Sequence, residues 1–94
     1  MTATLHIEHA ITDYPTWKAA FDRFGNARAQ AGVTTHRIRL LENDLHQIVI
    51  DLEFATPELA RAFLDFLHEK VWRTGNAPAL VGTLKTAVLI EAPA

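Results

Sequence analysis

Two kinds of apolar periodicity alternate along this chain, and their order restricts the folds available to it. Four stretches have the alternation or composition of β-strands; they are residues 3–11, 33–41, 45–54 and 83–91. Two stretches between them repeat apolar side chains at helical spacing; they are residues 13–32 and 56–70. This order predicts an α+β, ferredoxin-like βαββαβ fold, in which two helices cover one face of a four-stranded antiparallel sheet. We expect the first and third strands at the centre of the sheet.

Each predicted helix has a start signal in the sequence. Asp13 is a suitable N-cap residue and Pro15 follows in the first turn, and Thr56 and Pro57 repeat this arrangement. Gly32 is at the position where a left-handed glycine commonly ends a helix. We therefore expect the first helix to be continuous up to Gly32, with residue 25, also a glycine, as a weak point inside it.

Length and composition exclude several classes of protein. Ninety-four residues predict a single domain spanning residues 1–94. The sequence has no cysteine, which excludes disulfides, thiol catalysis and cysteine-ligated zinc. A net charge of −2, with both signs interspersed, does not favour nucleic acid as a partner. No apolar run approaches the roughly 20 residues of a membrane helix, so we expect a cytoplasmic protein with no membrane partner.

Two histidines fall on the sheet face that the helices are expected to cover. His9 shares the alternation of Leu5 and Ile7, and His36 shares that of Ile38. His9 ends the first strand and His36 begins the second, and we expect both to flank the end of the third strand. Two inter-strand spacings of about 4.8 Å each would separate them, which leaves room for a small ligand between the rings.

The two histidines allow two interpretations. Because a histidine pKa is ordinarily near 6.5, either ring could carry a proton at neutral pH, and His9 and His36 are therefore the candidate catalytic residues. Alternatively, both are buried neutral imidazoles that hydrogen-bond to backbone groups at strand ends. His6 and His9 face opposite sides of one strand, so we expect no metal site there.

Aromatic side chains are the main candidates for the wall of a pocket beside these histidines. Trp17 could stack on a ligand or pack in the core, and Trp72, in a segment expected to be irregular, could close the pocket or contact a partner subunit. Asn76 in the same loop could hydrogen-bond a polar ligand. The candidate ligand-binding residues are Tyr14, Trp17, Phe21, Phe54, Phe66 (with Phe63 as its alternative), Trp72 and Asn76.

The sheet face away from the helices needs a separate explanation. Basic residues on the second strand are expected beside acidic residues on the third; they are Arg37, Arg39, Asp51 and Glu53. These charges could pair within one subunit or across two. The face is either solvated or covered by the same face of a second chain. We favour a homodimer, because 49% of the residues are apolar and a small domain often buries surplus apolar surface against its own copy.

Three stretches of the sequence resemble the dimeric α/β-barrel superfamily, which includes antibiotic-biosynthesis-monooxygenase-like proteins. They are residues 9–21, 31–38 and 48–63. The resemblance implies two ferredoxin-like subunits whose sheets close a barrel, and a pocket between each sheet and its helices. It also implies no cofactor, because the substrate of the oxygenases in this superfamily is thought to supply the reactive electrons.

Three functions are compatible with these features. The first is an enzyme, similar to a cofactor-independent monooxygenase or cyclase, that acts on a small aromatic or polyketide-like compound with a histidine as proton carrier. The second is a non-catalytic dimer that binds a small hydrophobic molecule or serves in a stress response. The third is a dimer whose own side chains fill the pocket. An open cavity lined by His9 and His36 would favour the enzyme, and rings sealed by backbone hydrogen bonds would disfavour it.

Overall fold

A computed structural model describes residues 1–73 and 79–93 of the chain, without the side chain of residue 83. Its elements are β1 (Ala3–Ile11), α1 (Tyr14–Arg23), α2 (Gly25–Ala31), β2 (Val33–Leu41), β3 (Asp44–Phe54), α3 (Pro57–Phe66), a π-helix (Leu67–Trp72) and β4 (Leu80–Ile90). Within these ranges, the strands form one antiparallel sheet in the order β2-β3-β1-β4. The predicted ferredoxin-like arrangement, with the first and third strands at the centre, is confirmed.

Alternation along the two central strands produces the core. Every second residue of β1 is buried, and so is every second residue of β3 from Ile48 onward, because successive side chains of a strand point to opposite faces. This buried set forms what we call the inner face of the sheet, and the helices pack on it. Its largest fully buried members are Phe54, Leu5, Ile11, Ile48 and Leu52.

Both predicted helix starts are present. Asp13 Oδ1 accepts a hydrogen bond from the Thr16 N–H at 2.8 Å, which caps α1. Thr56 Oγ1 accepts from the Leu59 N–H at 3.2 Å, which caps α3. These caps satisfy backbone donors that have no partner inside the first turn of a helix. No helix in the described ranges is long and apolar enough to cross a membrane.

The expectation of one continuous first helix is wrong. The chain leaves helical geometry at Phe24, where φ is −97° and ψ is 16°, and α2 then begins at Gly25. The Phe24 N–H donates to Phe21 O at 3.2 Å, in the tighter pattern of a helix end. Both Gly25 and the weak packing of α2 account for the break at Phe24. α2 has no fully buried residue, so little apolar burial holds it in line with α1.

Two boundaries near the carboxyl end also differ from expectation. Trp72 is not in an irregular segment, because it ends the π-helix, in which the Arg73 N–H donates to His68 O at 3.2 Å. β4 begins at Leu80 rather than at residue 83. A bulge in the pairing with β1 lets the ladder continue, with Leu80 opposite Ile11.

Candidate functional site

A cavity of about 70 Å³ lies between the inner face of the sheet and the helices. Its described lining is apolar apart from the His9 ring, the Arg28 guanidinium and the indole N–H groups of two tryptophans. The cavity is not sealed, because Phe24, Arg28 and Leu67 on its lining are partly exposed. An apolar cavity with few polar groups is the usual form of a small-molecule site.

His9 is the one titratable group that β1 places in this cavity. The side chain is 3% exposed. His9 Nδ1 lies 3.2 Å from Ala10 O, and because a carbonyl oxygen can only accept, Nδ1 carries the proton. His9 Nε2 therefore keeps its lone pair. No hydrogen bond within residues 1–73 and 79–93 reaches Nε2. Among the described residues, Nε2 therefore remains an acceptor for a ligand in the cavity.

The electrostatics of the cavity keep His9 neutral. Burial lowers the pKa of His9 below its ordinary value, and the hydrogen bond to Ala10 O opposes this effect only in part. Burial disfavours the charged form of a histidine because the charge loses its hydration. At neutral pH, His9 is therefore an imidazole that can accept a proton at Nε2.

An aromatic wall on α1 extends from His9 across the cavity. The Trp17 ring lies 6.4 Å from the His9 ring and stacks on Phe21 at 4.9 Å. Trp17 and Phe21 share one side of α1 because they are four positions apart. Tyr14 stacks on Trp17 at 6.1 Å and is half-buried, but it does not reach the described lining. Tyr14 therefore supports the wall rather than forming it.

His36 does not lie across the cavity from His9, and the expectation that both flank one end of β3 is wrong. His9 pairs with Ile48, whereas His36 pairs with Leu52. β1 and β2 are both antiparallel to β3, so they are parallel to each other, and the end of one is far from the start of the other. The two pairing positions are about 13 Å apart along β3, from a rise of roughly 3.3 Å per residue. His36 is exposed and contacts the edge of the Phe21 ring at 5.4 Å.

The remaining predicted ligand-binding residues divide into three groups. Trp72 lines the cavity from the π-helix, with its ring 4.9 Å from that of His68. Phe54 and Phe66 do not line it, because each packs against Phe63, at 5.9 and 5.6 Å, and Phe63 is the lining residue. Asn76 lies outside the described residues.

Arg28 is a cavity residue that was absent from the predicted set. Its guanidinium carbon lies 3.5 Å from the centroid of the Phe21 ring, and its Nη1 donates to Phe21 O. The sequence did contain a signal, because Arg28 follows Trp17, Phe21 and Phe24 in the same helical stripe. A cation that continues an apolar stripe indicates a charged group at the edge of the buried surface.

The opposite side of the sheet, which we call the outer face, carries a charged network. His6 Nδ1 and Nε2 donate to Asp51 Oδ1 at 2.6 Å and to Glu8 Oε2 at 2.9 Å, and Arg39 Nη2 donates to Asp51 Oδ2 at 2.7 Å. Of the expected charge pairs on adjacent strands, that of Arg39 with Asp51 forms within one subunit. The hydrogen bond to Glu8, and then that to Asp51, raise the pKa of His6. No cluster of histidine and carboxylate side chains in the described ranges has the arrangement of a metal site.

Comparison with known proteins identifies the fold. No protein-family model and no curated protein matches the chain, whereas solved structures do. SnoaB, a cofactor-independent oxygenase from Streptomyces nogalater, has a TM-score of 0.72 and 15% identity over 99% of this chain and 95% of its own. A putative antibiotic biosynthesis monooxygenase from Bordetella bronchiseptica has a TM-score of 0.72 and 9% identity, covering 98% of both chains. The chain has the fold of antibiotic-biosynthesis-monooxygenase-like proteins.

A third structure with this fold is described as dimeric. It is a ferredoxin-like protein from an uncultured marine organism, with a TM-score of 0.61 and 8% identity, and the match covers 98% of both chains. The fold-level resemblance read from the sequence is therefore confirmed. At such low identity, the antibiotic-biosynthesis-monooxygenase-like fold does not determine a reaction, and function must be argued from the cavity.

Proposed function

We propose that this chain binds a small aromatic or otherwise apolar molecule in the cavity and acts on it as a cofactor-independent oxygenase- or cyclase-like enzyme, with His9 as the proton acceptor. The observation that carries the proposal is a neutral histidine inside an otherwise mostly apolar cavity, whose Nε2 has no hydrogen-bond partner among the described residues. SnoaB, with the same fold, is a cofactor-independent oxygenase, which supports this class of chemistry.

The proposed step is a proton transfer from the bound molecule to His9. An acidic C–H or O–H bond of the ligand breaks as the Nε2–H bond forms, and the electron pair stays on the ligand as an enolate or phenolate. In an oxygenase, dioxygen would take electrons from this anion. In a cyclase, the anion would attack a carbonyl carbon of the same molecule. An unpaired imidazolium in a buried site has a high free energy, so the ligand anion must remain close to His9 after the proton transfer.

The size of the cavity restricts the ligand. Its volume of about 70 Å³ is smaller than the roughly 150 Å³ that accommodates benzene in an engineered apolar cavity. A fused-ring molecule therefore requires the helical layer to move outward. The cavity-lining side chains that would move with this layer are Phe24 and Leu67, which are partly exposed, and Trp72 on the π-helix.

A second candidate function is ligand binding without chemistry. The observation that favours this function is that a single long hydrogen bond orients the His9 ring among the described residues. Catalytic histidines are commonly positioned by a third group that hydrogen-bonds the second ring nitrogen. His9 Nδ1 instead contacts the carbonyl of the adjacent residue, Ala10, at 3.2 Å.

We further propose that the outer face is covered by the outer face of a second copy. Val81 and Leu89 of β4 are 45% and 46% exposed there, close to the charged network of His6. A ferredoxin-like protein with the same fold is dimeric, which supports the association of two copies. Exposed apolar side chains among charges are typical of the rim and core of a protein interface.

The catalytic proposal is tested by oxygen uptake with 1-naphthol as the probe, and by product analysis for a cyclised or oxygenated molecule. We expect His9→Gln to lower turnover about 100-fold or more, the usual effect of removing a general base. His36→Gln is the matched control and should stay within about twofold of the wild type, because His36 lies outside the cavity.

Two results would contradict this assignment. Equal turnover by His9→Gln and the wild type would remove His9 from the mechanism. Saturable binding of the probe to the wild type without any turnover would instead support the non-catalytic function. Native mass spectrometry of the freshly purified protein identifies any ligand that remains bound and replaces the probe in both assays.

A further inference from the structure

Arg28 occupies an unusual position for a cation, at the edge of an apolar cavity and with no carboxylate partner among the described residues. The side chain is half-buried, and burial lowers the pKa of Arg28 below its ordinary value. Arginine nevertheless stays charged in proteins. A partly desolvated positive charge is costly unless an opposite charge lies near it.

The described residues supply no such charge by direct contact. The ion pairs within residues 1–73 and 79–93 include those of His6, Lys18 and Arg39, and Arg28 is in none of these pairs. Asp22 acts on Arg28 through space, but Asp22 Oδ1 is paired with Lys18 Nζ at 2.7 Å. Residues 74–78 and 94 include no Asp or Glu.

Most of the hydrogen-bonding capacity of Arg28 is also unused by the residues that the structure describes. A guanidinium has several N–H donors arranged as a planar fork. Within the described part of the chain, Nη1 donates to Phe21 O, and no other acceptor is bonded to the Arg28 side chain. A cation–π contact holds the guanidinium over the Phe21 ring, 3.5 Å from its centroid, which keeps the charge beside the cavity.

Arg28 and His9 contact the same aromatic wall at different rings. Arg28 lies over Phe21, Phe21 stacks on Trp17, and the Trp17 ring is adjacent to the His9 ring. All four residues line the same cavity, so a flat molecule inside it can place one part of its edge near the Arg28 cation and another part near the neutral His9 base.

We propose that this cavity selects amphipathic monoanions, molecules with an apolar ring system and one oxyanion, and that Arg28 binds that oxyanion. The ligand oxygen would be a carboxylate, or a phenolate or enolate. The planar fork of an arginine matches a carboxylate in a bidentate pair. The inference rests on the proposed ligand site. It adds the charge of the ligand and names Arg28 as the residue that binds the charged group.

Arg28 also has a structural role that the test must separate from ligand binding. Its hydrogen bond gives Phe21 O, in the last turn of α1, a second donor besides the Phe24 N–H. Loss of this bond would destabilise the protein whether or not an anion binds. A neutral ligand of the same shape supplies the control, since a purely structural defect would weaken the binding of both ligands.

Isothermal titration with 2-naphthoate and its neutral counterpart 2-naphthamide tests the carboxylate form of the proposal. We expect the wild type to bind the acid about 10- to 100-fold more tightly than the amide, the usual effect of charge-assisted hydrogen bonds. Arg28→Gln should bring this ratio close to one and leave the affinity for the amide unchanged. Arg28→Lys should give an intermediate ratio, because it keeps the charge and loses the fork.

The absorption spectrum of bound 2-naphthol tests the phenolate form. The wild type should shift its ionisation to lower pH, and Arg28→Gln should abolish that shift. Arg23→Gln, an exposed arginine at the end of α1, is the charge-matched control and should change neither readout. If Arg28→Gln does not fold, the Arg28→Lys variant provides the test. An acid-to-amide affinity ratio in Arg28→Lys equal to that of the wild type would contradict recognition of the ligand by the guanidinium fork.

The outcomes distinguish this proposal from the proposed function. If the amide and the acid bind the wild type equally and the naphthol spectrum does not shift, the cavity binds ligands but Arg28 selects no anion, and this inference is overturned. If none of the three compounds binds, the ligand site itself is refuted, and the inference falls with it.

Discussion

Two histidines on one strand, His6 and His9, have opposite protonation behaviour because they face opposite sides of the sheet. His6 lies between the carboxylates of Glu8 and Asp51, and its two ring nitrogens both donate, so its charged form is favoured. His9 lies against apolar side chains and one carbonyl, so its neutral form is favoured. Proton affinity at each position follows from its neighbours rather than from the residue type.

This contrast predicts pH effects of opposite sign on the free energy of unfolding. The pKa of His9 is lowered in the folded state, so its contribution is present above the unfolded-state pKa near 6.5 and is lost as pH falls through the folded-state pKa. The pKa of His6 is raised, so its contribution is present below about 6.5 and is lost as pH rises through the folded-state pKa.

Urea denaturation of the wild type, His9→Gln and His6→Gln between pH 5 and 8 measures both effects. Relative to the wild type, His9→Gln should lose less stability as the pH falls from about 7 to 5. The destabilisation caused by His6→Gln should be largest near pH 5.5 and should shrink as the pH rises. Parallel stability curves for all three proteins would show that neither histidine is shifted.

At the level of elements, local chemistry and packing determine different features. Asp13 and Thr56 predicted both capped helix starts, because a cap depends on residues close together in sequence. The break at Phe24 was not predictable in this way, because it depends on the absence of buried residues on α2. The π-helix likewise lacked a local signal, although it brings Trp72 to the cavity.

α2 begins at Gly25 and is capped by Gly32, and these two glycines have different backbone conformations. Gly25 does not have a positive φ, and a Cβ added there would meet Arg28 Nη2 at 3.7 Å, an ordinary contact. We expect Gly25→Ala to stabilise the protein by about 0.5–1 kcal/mol, because alanine reduces the freedom of the unfolded chain. Gly32 has φ of 96°, and we expect Gly32→Ala to destabilise it by about 1–2 kcal/mol.

Chemical denaturation of both variants checks these values. The contact that a Cβ at Gly32 would make, 3.4 Å from Leu59 Cδ1, lies at the short end of the ordinary range, so the expected loss comes from the backbone. Destabilisation by Gly25→Ala would show that α1 and α2 need a glycine between them for a reason other than helix propensity.

At the level of the whole molecule, topology carries more information than residue pattern. The βαββαβ order was sufficient to predict the sheet, and it also makes β1 and β2 parallel. The predicted strand order therefore already places His36 far from His9, because the start of β2 and the end of β1 lie at opposite ends of the sheet. The cavity residue Arg28 was harder to predict, since the inward position of its side chain depends on how α2 turns away from α1.

The uncovered outer face leads to a prediction about assembly. Ala87 lies on that face opposite His6, and Ala62 lies exposed on α3 on the other side of the molecule. We expect Ala87→Arg to convert the proposed dimer to a monomer, because a long charged side chain would separate the two sheets. Ala62→Arg adds the same charge and should leave the dimer intact.

Light scattering coupled to size-exclusion chromatography measures the molar mass of the three proteins. A monomeric wild type at concentrations of about 1 mM would contradict the proposed dimer. A dimeric Ala87→Arg variant would show that the subunits associate through another surface.

Long-range proton–nitrogen NMR of the histidine rings tests most directly whether His9 presents a free base to a ligand. At pH 6.5 we expect the neutral form of His9, with its proton on Nδ1, to exceed its charged form, and the charged form of His6 to exceed its neutral form in the same spectrum. Addition of 2-naphthol should shift the Nε2 resonance of His9 and leave that of His6 unchanged. A proton on Nε2 of neutral His9, a charged His9 ring, or an Nε2 resonance that no ligand moves would contradict the proposed role of this cavity.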